Sequence, residues 1–352
     1  MRAWLLRRTG GTDALELTDL ASPEPGPDEV AVRVEAIGIN YAEVLSRKGL
    51  YGWAPERPYV PGMEAVGTIE KVGAAVRRRM IGERVLCGMQ HGAYAERVIV
   101  RESRALPAFT DFSLAENAAF GVNFTTAWVS LVEMARLRPT DRVAITAAAG
   151  GVGTAAVQIA VAHGCRVVGL AGADDKLVRV GELGAEATVN YRSPDFIERF
   201  DDAVADGGLD VVLEVVGGDV YRACLERLSP FGRLVVAGYA GLDYRWWNPL
   251  SWWRAWRGAP RLDVTDAAVA SIGVSATHIG YLLPDEQRLE AIWGALTDFV
   301  RTHGLRPVVG RTYAFEDLPN AHAFMESRRS VGKLVVLIEH GHHATGKRGA
   351  NP

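Results

Sequence analysis

The sequence predicts an α/β protein in which a doubly wound parallel sheet is inserted into a smaller, mainly antiparallel β domain. Three observations carry this prediction. From Asp141 to Val274 short buried-type strands alternate with helical segments, the pattern of a parallel sheet with helices on both faces. The first hundred residues instead read as short β segments punctuated by Gly and Pro. That texture returns after Pro284, in Arg311–Phe315 and Lys333–Ile338, so the first domain is expected to be discontinuous.

Taken in order, Val30–Val34 alternates as a strand, Ala65–Ile69 follows Pro61-Gly62, and Arg97–Val100 follows Gly92. Near Asp111 the texture changes, and Ser113 to Met134 is helical in period and rich in Ala. Arg142–Thr146 then reads as a strand, Val152–His163 as a helix, Arg166–Leu170 as a strand and Lys176–Leu183 as a helix. Ala187–Asn190, Val211–Val215, Leu234–Ala237 and Val269–Val274 supply further strands, and Asp285–Thr302 a helix. The expected limits are residues 1–121 with 281–340 for the β domain and 122–280 for the inserted one. Residues 341–352, short, polar and rich in Gly and His, read as a loose tail.

Composition narrows the function classes. A chain of 352 residues can bury its core without disulfide or metal staples. The net charge of −3 argues against a nucleic-acid surface. Cys87, Cys165 and Cys224 are odd in number and far apart, which implies neither a disulfide framework nor a zinc knuckle and suits a reducing, cytoplasmic setting. No apolar run is long enough for a spanning helix, and Met1–Leu5 enters strand-like sequence with no signal-peptide pattern.

The strongest motif is Val143-Ala144-Ile145-Thr146-Ala147-Ala148-Ala149-Gly150-Gly151-Val152-Gly153. A strand runs into a glycine turn from which an apolar helix leaves. Such a helix N-terminus offers free N–H groups and a positive dipole end to a pyrophosphate. Gly150 lets backbone approach the ligand, Gly151 and Val152 open the helix, and Gly153 lets it pack on the strand. Ala148 stands where the usual G-x-G-x-x-G has its first glycine. A glycine cluster alone is also an ordinary tight turn; the strand–turn–helix context makes this one a dinucleotide site.

The second strand ends at Gly172-Ala173 without the acid that would grip a ribose 2′-OH roughly 20 positions beyond the turn. Lys176, with Tyr191-Arg192 after the third strand, suits a 2′-phosphate, so NADPH is favoured over NADH. The competing reading makes Asp174 and Asp175 helix caps and Lys176 a solvated side chain.

Further motifs run through the chain: Gly38-Ile39-Asn40-Tyr41, Arg47-Lys48-Gly49-Leu50-Tyr51, Pro61-Gly62-Met63-Glu64, Asn123-Phe124-Thr125-Thr126-Ala127-Trp128 and Asn190-Tyr191-Arg192. With the glycine turn they resemble the zinc-independent branch of the medium-chain dehydrogenase/reductases, the quinone oxidoreductase-like proteins, from Met1 to Glu339. The resemblance implies a Rossmann NADP-binding domain inserted in a GroES-like catalytic domain, NADPH in the cleft between them, and a homodimer. It puts Asn40 and Tyr51 beside the nicotinamide, bonding the acceptor oxygen, with Tyr51 a candidate proton donor. It assigns Thr126, Gly238 and Tyr239 to the cofactor, and Arg328 to its 2′-phosphate.

The zinc-dependent branch has Cys at the position of Asn40 and His at that of Met63, together with a four-cysteine lobe. Cys87 with His91 makes too few ligands for zinc, so no metal is expected. Without a Lewis acid, hydride delivery to an already electrophilic quinone or α,β-unsaturated carbonyl is the feasible chemistry. An enoyl-thioester reductase of a biosynthetic pathway is an alternative.

Five tryptophans fall between Trp246 and Trp256, interleaved with Arg245, Arg254 and Arg257. This segment reads as a lid over a flat acceptor, as an interfacial patch suited to a peripheral membrane contact, or as a packed dimer contact. A similar insert occurs in the subgroup resembling vesicle amine transport protein-1 homologues. A lipid-binding protein that retains the NADPH site is therefore a second alternative.

Overall fold

The computed structural model describes residues 1–205, 207–238 and 262–340. Strands buried on both faces need no polar alternation, and Val143, Ala144, Ile145, Val211, Val212 and Leu213 are all fully buried. These belong to a six-stranded parallel sheet in the spatial order Ala187–Asn190, Arg166–Ala171, Arg142–Ile145, Leu209–Glu214, Leu228–Val236, Gly273–Ala276. The order runs outward in both directions from Arg142–Ile145, as in a Rossmann sheet, and leaves a crevice at the carboxyl ends of Arg142–Ile145 and Leu209–Glu214.

A second, seven-stranded sheet is built from both ends of the chain, in the GroES-like manner. Its order is Val309–Ala314, Lys333–Leu337, Glu29–Ile39, Glu64–Val72, Arg84–Gly88, Ala105–Pro107, with Arg97–Arg101 also paired to Glu29–Ile39. Only Val309–Ala314 and Lys333–Leu337 pair in parallel. The hairpin Arg2–Leu6/Leu15–Asp19 joins it through bridges from Ala3 to Ala95 and from Leu6 to Tyr59.

The helix Leu114–Trp128 leads from one sheet to the other. Ser113 Oγ accepts from the Glu116 N–H (3.2 Å) while Glu116 accepts from the Ser113 N–H (2.8 Å), a reciprocal cap that fixes its start. Beyond Trp128 the helix widens into a π-type turn, Val129–Met134. Its Phe120 and Phe124 share one core with Ala36, Val66 and Leu86 of the antiparallel sheet and Val143, Ile145 and Ala155 of the parallel unit. That shared core sets the two sheets against each other.

Two local expectations are corrected. Val269–Val274 is not one strand: Val264–Ala270 is a helix and only Gly273–Ala276 pairs. Asp263 accepts from the N–H groups of Thr265 (2.7 Å) and Asp266 (3.3 Å), and Ser271 at φ 55° ends the helix, so local capping overrides the β-branched residues. The stretch read as β segments also contains the helix Tyr41–Lys48, begun where Glu43 accepts from the Asn40 N–H at 2.7 Å and ended at Gly49. Tyr239, the segment Trp246–Trp256 and the tail 341–352 lie outside the described residues. Among the described residues no helix is long and apolar enough to cross a membrane.

Candidate active site

A cavity of about 920 Å³ runs between the two sheets. On its lining the strand Arg142–Ile145 turns into the helix Gly151–Ala162, and the first helical bond runs from the Thr154 N–H to the Gly150 carbonyl. Gly151, Val152 and Gly153 therefore lack intrahelical acceptors for their N–H groups, and all three line the cavity. A Cβ on Gly153 would stand 2.2 Å from the Ala147 carbonyl oxygen, so only glycine lets the helix close on the turn. The turn is also fastened to the other sheet: the Gly332 N–H donates to the Ala149 carbonyl at 2.7 Å, and Gly150 bridges Gly332.

Gly172, Lys176, Tyr191, Arg192 and Arg328 line the adjoining wall. A Cβ on Gly172 would come within 2.9 Å of the Tyr191 hydroxyl and 3.1 Å of Arg192 Nε, so these side chains lie against bare backbone. Lys176 Nζ donates to the carbonyls of Arg328 (2.6 Å) and Ser330 (3.0 Å), leaving one of its three donors for a ligand. Burial lowers its pKa, with the charge of Asp175 opposing the shift. Asp174 and Asp175 lie in the first turn of Asp174–Glu182, where Asp174 accepts from Asn190 Nδ2 at 3.1 Å. Neither lines the cavity. This wall, rich in Lys and Arg donors, fits a phosphate.

Thr126 on the connecting helix and Gly238 after the strand Leu228–Val236 also border the cavity. The Tyr51 hydroxyl lies 2.7 Å from His278 Nε2. Trp53 stacks on the His278 ring with centroids 4.5 Å apart, and Tyr281 meets Trp53 edge-on at 4.6 Å. Burial, with the charge of Glu43, pushes the Tyr51 phenol up to about 12, and burial lowers the pKa of His278. Sequence reasoning did not single out His278. The available signal was its position two residues beyond the parallel strand Gly273–Ala276, at a carboxyl end where such sheets place ligands.

Asn40 lines the cavity within a buried polar network. Lys333 Nζ donates to Glu64 Oε1 (2.5 Å) and Asn40 Oδ1 (2.6 Å). Asn40 Nδ2 donates to Glu64 Oε1 (3.1 Å) and Glu43 Oε1 (3.2 Å). Glu64 also accepts from the Val122 N–H at 2.8 Å. Glu43 further accepts from the N–H groups of Asn40 and Met63 and from the Tyr94 hydroxyl (2.6 Å); burial raises its pKa against the opposing bonds from Asn40 and Tyr94 and the charge of Lys333. Both polar atoms of the Asn40 amide are thus engaged within the protein. Lys333, Glu43 and Glu64 had no assigned role in the sequence.

The structure therefore brings Asn40, Tyr51, Thr126, Gly150, Gly151, Val152, Gly153, Gly172, Lys176, Tyr191, Gly238 and Arg328 to one cavity. Among the described residues no group of three or more His, Cys, Asp or Glu side chains is arranged to hold a metal ion. A glycine turn with free N–H groups and a phenol on the lining of the same cleft suit a dinucleotide and a second, reducible molecule.

Comparison with known proteins agrees with this geometry. Residues 26–110 match the family described as alcohol dehydrogenase GroES-like domain, and residues 183–336 the family described as zinc-binding dehydrogenase. The chain is 31% identical to the synaptic vesicle membrane protein VAT-1 homolog of Danio rerio, over 96% of this chain and 70% of that protein. It is 30% identical to the quinone oxidoreductase of Rattus norvegicus, over 96% and 98% of the two chains. Among solved structures, the quinone oxidoreductase of Thermus thermophilus, also solved in complex with NADPH, superposes with a TM-score of 0.77. That match has 35% identity and covers 96% of this chain and 100% of the other.

Proposed function

From the premise that the chain belongs to the medium-chain dehydrogenase/reductase family, among the quinone oxidoreductase-like proteins, we propose that it is a zinc-independent, NADPH-dependent reductase of a quinone or α,β-unsaturated carbonyl. The observation that carries this is that one cavity is lined both by the glycine turn with Lys176, Tyr191, Arg192 and Arg328 and by the Tyr51 phenol. When bound, NADPH supplies the hydride. The chain's own groups bind, orient and protonate. The free N–H groups of Gly151, Val152 and Gly153 would hold the pyrophosphate. Lys176, Tyr191, Arg192 and Arg328 would hold the 2′-phosphate, and neither Asp174 nor Asp175 lines that wall.

Thr126 and Gly238, on the cavity lining, would hold the nicotinamide end of the cofactor. Tyr51, whose phenol keeps its proton throughout the physiological range, donates to the oxygen on which negative charge develops as the acceptor is reduced. Asn40 holds the cavity floor through Glu64 and Lys333. Zinc independence rests on the side chains at the two positions where the zinc-dependent branch has Cys and His: an amide committed to the interior at Asn40 and a thioether at Met63. A homodimer in a reducing, cytoplasmic setting belongs to the same reading. It is supported by the resemblance and by Cys87 and Cys224, which are buried free thiols.

The test is NADPH consumption with phenanthrenequinone, a panel of enones and enoyl thioesters, each repeated with NADH. Turnover with NADPH and much poorer turnover with NADH are expected. Cofactor binding without reduction of any acceptor would overturn the proposal.

A further inference from the structure

We propose that His278 is the positioning residue for Tyr51: its Nε2–H donates to the phenol oxygen, so that the single Tyr51 proton is turned toward the acceptor. The inference rests on the reductase reading above and adds a residue to it.

A phenol has one proton, and the 2.7 Å approach to His278 Nε2 leaves it two arrangements. If Tyr51 donates to Nε2, its proton points into the wall and no donor faces the acceptor. If Nε2 carries hydrogen and donates to the phenol oxygen, the Tyr51 O–H is free to face the cavity. Only the second arrangement pairs an acceptor carbonyl with the phenol.

Proton release also needs the second arrangement. Burial and the charge of Glu43 oppose a tyrosinate at this place, so a donor already on the phenol oxygen is what offsets them. The imidazole is held for this task. Trp53 covers one face, with planes 18° apart, and Tyr281 meets the ring edge-on at 5.8 Å. The side chains of Gln90 and His278 both close on the backbone of Gly280, where a Cβ would lie 2.6 Å from the imidazole Cε1. His278 Nδ1 is buried without a partner, so no protein group competes to set the tautomer.

Per turnover the acceptor carbon gains a hydride with its electron pair, and the Tyr51 O–H bond breaks as its proton passes to the enolate. Water then returns a proton to the phenolate, and His278 keeps its Nε2–H throughout.

The experiment compares His278→Phe, which keeps a ring against Trp53 and removes the donor, with His278→Gln, Tyr51→Phe and the double Phe variant. Losing a hydrogen bond to a developing charge is expected to lower kcat for an enone about ten- to a hundredfold in His278→Phe, with KM and the NADPH Kd within about twofold. His278→Gln should recover most of the rate. The double variant should be no slower than Tyr51→Phe alone, because His278 acts only through Tyr51. A wild-type rate in His278→Phe, or losses that multiply in the double variant, would overturn the proposal.

A second arm reads the contact without turnover. The Cζ resonance of tyrosine-labelled protein, assigned to Tyr51 by its loss in Tyr51→Phe, should move in His278→Phe. An unmoved resonance refutes the contact, whereas a moved one in a protein that reduces no acceptor refutes only the reductase reading. Should His278→Phe not fold, His278→Leu takes its place in both arms.

Discussion

Replacing Lys333 by Met would leave the Glu64 carboxylate buried beside the cavity without its cation. Lys333 is 2% exposed and Glu64 5%, and their charged atoms are 2.5 Å apart. Methionine keeps much of the aliphatic stem, so the change isolates the charge. Removing one partner of a buried ion pair costs about 3–5 kcal/mol, most of it the uncompensated charge that remains. Glu64 retains the Val122 N–H and the Asn40 amide, which places the expected loss near the lower bound, about 3 kcal/mol. Arg78–Glu290 gives the contrast: with side chains 52% and 69% exposed, its loss should cost no more than about 1 kcal/mol. Urea unfolding at neutral pH, followed by circular dichroism, measures both. The double variant Lys333→Met/Glu64→Gln should recover much of the loss, since it removes the stranded charge. A Lys333→Met protein within about 1 kcal/mol of wild type, or a double variant weaker than the single, would refute the reasoning.

Further outcomes follow from the same geometry. Gly153→Val should weaken NADPH binding at least about tenfold, measured by cofactor fluorescence, because its Cβ meets the backbone of Ala147 and Ala148 and displaces the N–H groups of the turn. Tyr51→Phe should slow enone reduction about a hundredfold while NADPH binding holds. With the phenol at about 12, wild-type activity should show no alkaline loss attributable to Tyr51 below that range. The Arg306 guanidinium, 2.8 Å from Glu116, holds that carboxyl down at about 2, against an ordinary 4.5. A depressed carboxylate stabilises fully above its unfolded pKa and loses that contribution as pH falls. The deficit of Arg306→Gln, about 1 kcal/mol for a pair whose guanidinium is half exposed, should therefore shrink as pH falls from about 4.5 toward about 2 in urea titrations. A deficit constant with pH would exclude this origin.

Much of this architecture is legible in the sequence because it follows from local periodicity. The strand Ala187–Asn190 has the limits its apolar run implies, and the glycine turn lies between the strand and helix that its spacing requires. What escapes local reading depends on contacts far along the chain. Val269 looks β-prone, yet a cap at Asp263 draws it into a helix. His278 meets Tyr51 across 227 positions, and Lys333 meets Asn40 across 293. Neither pairing leaves a periodic trace, so polar partners of the site emerge only with the fold. Asn40 shows the limit from the other side: its position beside the cavity could be anticipated, but not the commitment of its amide to Glu64 and Lys333.

The pairing of Lys333–Leu337 with Glu29–Ile39 has a bearing on biosynthesis. Strand Glu29–Ile39 leaves the ribosome long before the segment that completes its sheet, and Glu64 precedes its counter-ion by 269 residues. Through most of translation the amino-terminal sheet therefore lacks a neighbour along that edge, and a carboxylate destined for burial must stay hydrated. Parallel strands between them close over shorter separations, so they can assemble while the outer domain waits. Completion of this sheet then comes last and joins the most distant parts of the chain, a topology that favours slow final docking. A nascent chain stopped before Lys333 would carry the glycine turn without the cation that completes the cavity floor.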